Sequence, residues 1–374
     1  MSFDYTVFDV TVTPLTPLHI GSGETLLQEY DFHVMGNITY RLNQDAILTE
    51  QEVADPQQAE LLARTPPAQL LDDKRDYHAG SRFIRYRLAG RPRSKREGAE
   101  LREQIKTVRN EAYLPGSSLK GAIRTALTWH GWAEQRLSPQ KTDLEGNPKY
   151  AGRRLEQQLM GRDPNHDLLR ALQVSDSAPT DADCFMVLNA QVMMARGLGS
   201  PIEVEAIRPD TPFHLTMKID TRLLGDWAGQ NQLRLGGNPT WLTALPQYIQ
   251  AHTRQRLESG WEWFKKKPDA KQAAGLYRQL LGVKLPENSC LLQIGWGTGW
   301  GGKTYGSRLQ ANGPLMEFII SKYRLARGRR NPGDAFPKSR RVAVSVAKDP
   351  AGKFKPVPGL PLGWVLMELK ERDL

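Results

Sequence analysis

Two segments carry residue types that could hold or transform a phosphate. The first is Leu114-Pro115-Gly116-Ser117-Ser118-Leu119-Lys120-Gly121-Ala122-Ile123-Arg124. Lys120 and Arg124 stand four apart and so share a helix face. In the first turns of a helix they oppose the macrodipole. An anion at the helix N-terminus would reverse that by using free backbone N–H groups and both side chains, with Ser117 and Ser118 beside it. Phosphate binding is one reading of the pair, two solvent-exposed basic residues the other. The second segment runs from Ile294 to Gly306, and Gly297–Thr304 within it satisfies the P-loop pattern G-x-x-x-x-G-K-T. A P-loop normally opens its domain and feeds a long helix, whereas only 70 residues follow Thr304, and Gly306 and Gly313-Pro314 interrupt what comes next. A loop that lets backbone approach a phosphodiester fits better, with Gly297, Gly299 and Gly301 giving access and Lys303 a point charge. A nucleotide-binding P-loop and a purely structural glycine loop stay open as alternatives.

Smaller signals flank these. His19 lies near Gly21, Ser22 and Gly23 in a turn-rich stretch, and Asp31 follows. Either could serve acid–base chemistry on RNA, so an endoribonuclease using Asp31 or His19 is a rival reading. The seven histidines are scattered, and the two cysteines, Cys184 and Cys290, form no C-x-x-C. The expectation is no metal, no cofactor, no disulfide framework and a reducing, cytoplasmic setting. The opening Met1–Tyr5 has no basic and apolar leader pattern, and no apolar run reaches membrane-spanning length.

The formal net charge of +10 is concentrated. Residues 82–109 hold ten Lys/Arg against three acids, and residues 322–341 hold eight against Asp334 alone. Each stretch is thus +7, and the rest of the chain is −4. Arginine outnumbers lysine, and Phe83, Tyr86, Tyr323 and Phe336 are interleaved, a composition suited to single-stranded nucleic acid. Arg85, Arg93, Lys338, Arg340 and Arg341 are the candidate contacts. Arg91-Pro92-Arg93 and Asn331-Pro332-Gly333 break any membrane-surface helix.

These residues need a scaffold. Alternation predicts strands over 6–13, 213–219 and 341–347, and further strands are expected over 184–194, 202–208, 290–296 and 363–369. Helical spacing predicts a helix from Leu119 to His130 capped by Ser117 or Ser118, with others over 240–258 and 268–281, a short one near 152–160 and a charged one over 97–110. Such interleaving reads as α+β with antiparallel sheets.

Taken together, the segments resemble a known family. Thr16–Glu24 resembles the amino-terminal signature of the RAMP superfamily of CRISPR systems, and Leu114–Arg124 its most recognisable motif. Asp163–Ser177, Gly295–Gly306, Pro337–Arg341 and Pro361–Val365 resemble, within it, the fifth-subunit family of type III-A Csm effector complexes. The resemblance implies a ferredoxin-like (RRM-like) RAMP core with helical insertions and a second, smaller RAMP-like part. The expected division is a core over 1–220, with a basic insertion at about 80–110 and a polar, helical one at about 135–170, and a C-terminal part over 221–374. It further implies a non-catalytic subunit that caps the 3′ end of the crRNA and assists its maturation. The implied partners are crRNA, target RNA through the complex, the backbone-filament RAMP subunit, the small subunit and trimming nucleases. Backbone subunits of the family cut RNA with an aspartate in an early loop. Asp31 lies in the corresponding region, but Glu29-Tyr30-Asp31-Phe32 departs from that pattern, so catalysis is not carried over.

Overall fold

A computed structural model describes residues 4–51, 55–94, 96–194, 197–326, 330–348 and 352–373. Its strands are β1 (Tyr5–Pro14), β2 (Gly21–Leu27), β3 (Phe32–Met35), β4 (Ile38–Leu42), β5 (Ile84–Ala89), β6 (Glu100–Gln104), β7 (Leu172–Val174), β8 (Phe185–Met193), β9 (Ile202–Ile207), β10 (Phe213–Asp220), β11 (Ser289–Gln293), β12 (Arg340–Lys348), β13 (Phe354–Pro361) and β14 (Trp364–Glu371). Its helices are α1 (Gln44–Thr49), α2 (Pro56–Arg64), α3 (Gly116–Glu134), α4 (Arg153–Met160), α5 (Asp226–Gln230), α6 (Thr240–Thr243), α7 (Leu245–Phe264), α8 (Lys271–Gly282), α9 (Ser307–Gln310) and α10 (Gly313–Lys322).

Period-two alternation puts Val10 and Val12 of β1 in the core, and this strand is the centre of a five-stranded sheet of order β11-β14-β1-β10-β7. All its pairings are antiparallel. The run β1-α3-β7-β10-α7-β14, with spatial order β14-β1-β10-β7, is the ferredoxin-like β-α-β-β-α-β arrangement. The apolar stripe of α3 (Leu119, Ile123, Ala126, Leu127) is fully buried and joins one core cluster with Val10, Val12, Leu172, Phe213 and Ile249. The architecture is α+β with largely antiparallel sheets, the class expected from the sequence.

The second sheet follows the order β2-β6-β9-β8-β5-β4-β3, and the β12–β13 hairpin attaches through β8. At its centre Glu205 of β9 is fully buried and accepts from Tyr86 Oη (2.8 Å), Gln104 N (3.0 Å) and Lys106 Nζ (2.7 Å). Three donors and a paired ammonium make this carboxylate tolerable in the interior.

Two expectations are corrected. The charged helix over 97–110 is β6: its one core residue, Leu101, gives no helical stripe, and pairing with β2 and β9 claims the segment. The long helix also starts earlier, at Gly116, and its N-cap is Pro115 rather than a serine. The boundary expected near 220 falls at the end of β10, and strands from both sides of it share both sheets: β11 and β14 complete the sheet of β1, and β12 extends that of β8. The expected basic insertion supplies β5 and β6 to the second sheet. Trp132, Leu144 and Leu155, in and before the polar stretch, form a separate cluster with Leu309, Leu315 and Ile319. Cys184 and Cys290 are free and buried. No helix among the described residues is long and apolar enough to cross a membrane.

Candidate nucleic-acid interface

The α3 motif is tied into the fold by acids. Asp176 Oδ1 accepts from the first helical N–H, Gly116 N, at 2.8 Å, and Ser177 Oγ accepts from Leu114 N at 2.9 Å. The anion at this helix N-terminus is therefore the chain's own carboxylate. The approach is close enough that a Cβ on Gly116 would run into the carbonyls of Val174 and Ser175. Arg124 makes a bidentate pair with Asp167 (2.8 and 3.0 Å) and a further bond to Glu156 (3.0 Å). Lys120 donates to Leu172 O at 2.6 Å, and burial together with the Arg124 charge lowers its pKa. The hollow beside them is lined by four cations, Lys120, Arg124, Arg153 and Arg170, and three acids, Glu156, Asp163 and Asp167. Ser117 is exposed and Ser118 half-buried.

A second hollow has the opposite balance. A cleft of about 390 Å³ lies between α7, the start of β12 and the loop that follows β11. Arg256, Lys303, Arg340 and Arg341 line it, and among the described residues its lining contains no aspartate or glutamate. Gly297, Gly299 and Gly301 supply loop backbone, and Trp129, Trp296 and Trp300 supply aromatic surface. Arg341 stacks over Trp296 at 3.9 Å, and Arg102 of β6 approaches the same ring at 5.6 Å. Burial lowers the pKa of both Arg340 and Arg341.

The turn after β1 joins this cleft through Trp296. His19 O accepts from Trp296 N at 2.7 Å, and the two rings meet edge to face at 5.7 Å. His19 is itself buried, bonded through Nδ1 to Glu205 O at 2.6 Å, and burial pushes its pKa down to about 4. Gly21, Ser22 and Gly23 beyond it are exposed, with Ser22 Oγ donating to Glu103 Oε2 at 2.8 Å. The structure thus brings together His19, Gly21–Gly23, Gly297–Lys303, Arg340 and Arg341, which are up to 320 residues apart in sequence.

The other candidates lie elsewhere. Exposed Arg85 is 3.5 Å from Asp45, Lys338 is paired with Asp334 at 2.5 Å, and Arg93 donates its backbone N–H to Glu203 at 2.5 Å. Lys95, Arg327 and Arg329 of the basic stretches fall outside the described residues.

Both rival chemistries meet structural obstacles. Asp31 accepts from Leu27 N (2.9 Å) and Gln44 Nε2 (3.2 Å) and sits 3.4 Å from Arg41, so its carboxylate holds the β2–β3 turn. The strand before Gly297–Thr304 is the edge of an antiparallel sheet, and Lys303-Thr304 lead into a turn and the four-residue α9. A P-loop needs a parallel strand feeding a long helix, so the sequence match is not one.

Reading the chain alone missed Arg256, Arg102, Trp296 and Trp300. Arg256 occurs in the mixed run Thr253-Arg254-Gln255-Arg256, where nothing separates it from its exposed neighbour Arg254. Helical phase was the usable signal: Arg256 shares a face with the buried Thr253 and Gly260.

The model of the RAMP superfamily matches residues 11–302. The CRISPR system Cms protein Csm5 of Streptococcus thermophilus is 27% identical over 248 residues, covering 59% of this chain and 66% of that protein's own length. A chain in the cryo-EM structure of a Csm–crRNA–target RNA ternary complex of a type III-A CRISPR-Cas system superposes with a TM-score of 0.71 at 23% identity, over 96% of this chain and 100% of that one. The crystal structure of T. onnurineus Csm5 gives 0.64 at 21% identity, over 95% and 99%.

Proposed function

The chain belongs to the RAMP superfamily, and from that premise we propose that it is an RNA-binding subunit of a type III-A CRISPR effector complex that holds the 3′ region of the crRNA and performs no cleavage itself. The observation that carries this reading is the cleft with four cations, three tryptophans and no carboxylate. Guanidinium groups and indole faces in one acid-free cleft suit a single strand, whose phosphates meet cations while bases stack. The likeness to Csm5 and to a chain of a crRNA-bound complex supports the identity of the strand and of the assembly. The partners in this reading are the crRNA, target RNA through the complex, the backbone-filament and small Csm subunits, and trimming nucleases during crRNA maturation.

Loop backbone at Gly297–Gly301, with Lys303, Arg340 and Arg341, would contact the sugar–phosphate chain, so binding is largely independent of sequence. The exposed Gly21–Gly23 edge continues the same surface past Trp296. The test is photocrosslinking in the assembled complex, with thiouridine placed at successive crRNA positions. Crosslinks from the 3′-terminal positions to the Trp296–Lys303 loop are expected. Crosslinks to this subunit from the 5′ portion alone, or none, would refute the assignment. Incubation of the complex with labelled RNA tests the non-catalytic part: cleavage abolished by Asp31→Ala in this subunit would reverse it.

A further inference from the structure

Arg256 is the least expected residue of the cleft. It enters from α7, and Nη2 makes its two hydrogen bonds, to Gln293 Oε1 and to Thr298 O (3.1 Å). Both acceptors are neutral. Nη1 lies directly beneath Gly302, where a side chain of any size would strike it and the Thr298 side chain (2.9 Å). Protein surrounds the guanidinium so closely that its pKa falls to about 10; the Tyr277 phenol opposes that fall, and the cation Arg340 adds to it. Arg340 repeats the pattern: Nη1 donates to the carbonyls of Pro337 (3.2 Å) and Ser339 (3.0 Å), and no acid lines its side of the cleft.

Two largely buried guanidinium groups lining one cleft, with no carboxylate among its described lining residues, are unfavourable in the folded chain unless something anionic joins them. Elsewhere this protein supplies that anion itself, as at Arg124 and at Arg330, which makes a bidentate pair with Glu317 (2.6 and 2.7 Å). At Arg256 and Arg340 it does not. The cleft's 390 Å³ is at the small end of ligand pockets, room for about one nucleotide of a strand that continues along the surface.

We propose that Arg256 and Arg340 form a seat for a single phosphate group of a nucleic-acid strand, with Lys303 of the adjoining loop as the third cation and one nucleotide inserted among the tryptophans. The class of ligand is a phosphate ester of a nucleotide. A terminal phosphomonoester and an internal phosphodiester share that chemistry. The seat rests on the RNA-binding reading for the nature of the strand, and it adds a point of fixed register to an otherwise sequence-independent track.

The test titrates the full chain with a short uridine oligonucleotide ending in a 3′-hydroxyl, the same oligonucleotide ending in a 3′-phosphate, and uridine itself, read by tryptophan fluorescence. Wild type should bind both oligonucleotides and not uridine. Arg256→Gln and Arg340→Gln should each weaken binding at least tenfold. A loss confined to the 3′-phosphorylated probe assigns a terminal phosphate, and an equal loss for both assigns an internal one. Melting gives a second readout: inorganic phosphate should raise the melting temperature of wild type. Arg256→Gln should melt no lower than ligand-free wild type and should lose the phosphate response. If both variants bind like wild type while Lys303→Ala/Arg341→Ala binds weakly, the seat is wrong and the RNA reading stands. If wild type binds neither oligonucleotide, the RNA reading falls with it. A phosphate response kept in both variants also overturns the seat.

Discussion

The α3 motif and the glycine-loop cleft each collect four cations, yet they do opposite things with them. Around α3, Asp163, Asp167 and Glu156 answer the positive charges, and Asp176 occupies the helix N-terminus. The motif Leu114–Arg124 is thereby locked to the segment Val174–Ser177, and its basic residues hold the core of the fold together. In the cleft no acid among the described residues answers Arg256, Lys303, Arg340 or Arg341. An anion site is defined by uncompensated charge in space, and a count of Lys and Arg along a sequence does not measure that.

Breaking the first region should cost stability and leave RNA binding per folded molecule unchanged; breaking the second should do the reverse. The largest effect is expected from Gly116→Val. Its side chain would collide with two backbone carbonyls, and a loss of about 3 kcal/mol or more in chemical denaturation, or failure to fold, follows. Acid comes next. His19, with its pKa near 4, is held neutral by burial while the unfolded chain titrates near 6.5. Between those values the unfolded state binds the extra proton, so stability is full above about pH 6.5 and falls as pH drops towards 4. The loss is on the order of 3 kcal/mol. Unfolding followed against pH should show this slope, to which the buried His252, with its pKa lowered to about 3, adds its own, and His19→Gln should remove roughly half of it. Arg124→Ala should lower stability by about 2 kcal/mol, since a half-buried bidentate pair is lost and Asp167 is stranded. Its crRNA affinity, corrected for folded fraction, should not change; a tenfold drop at unchanged stability would erase the distinction between the two regions. Lys303→Ala/Arg341→Ala should leave denaturation unchanged within about 0.5 kcal/mol. It should weaken RNA binding by roughly tenfold and make the log–log salt slope about 1.4 shallower, about 0.7 for each phosphate contact removed. The smallest effect belongs to Lys338→Ala, an exposed pair with Asp334, with no measurable change expected in either quantity.

Much of this was legible in the chain. The strands β8, β9, β10, β12 and β14 and the apolar stripe of α3 were expected from the chain, β10 and β12 from their alternation, and the structure realises the strands within a residue or two. The glycine loop, Arg340 and Arg341 were identified as phosphate-friendly, and they do converge. What could not be read was compensation. Asp167 and Asp176 are short-range turn residues by sequence, and only the packing of β7 against the sheet brings them to Arg124 and Gly116. β6 was read as a helix because its charges obscured that Leu101 is its one core residue. Arg256 was invisible for the converse reason: the acid that normally accompanies an enclosed arginine is missing, and an absence in space leaves no mark in a sequence.

The placement of β14 bears on when the protein can work as it is made. β14 runs between β1 and β11, pairing Pro14 with Val365 and Cys290 with Met367. Until residues 364–371 leave the ribosome, β1 lacks its neighbour on one side and the strand that carries the glycine loop has no partner at all. Docking of β14 between β1 and β11 closes a loop of about 350 residues, a slow and late event in folding, and gives the strand before the glycine loop its partner. A nascent or prematurely ended chain would carry the basic residues without the geometry that makes them a site.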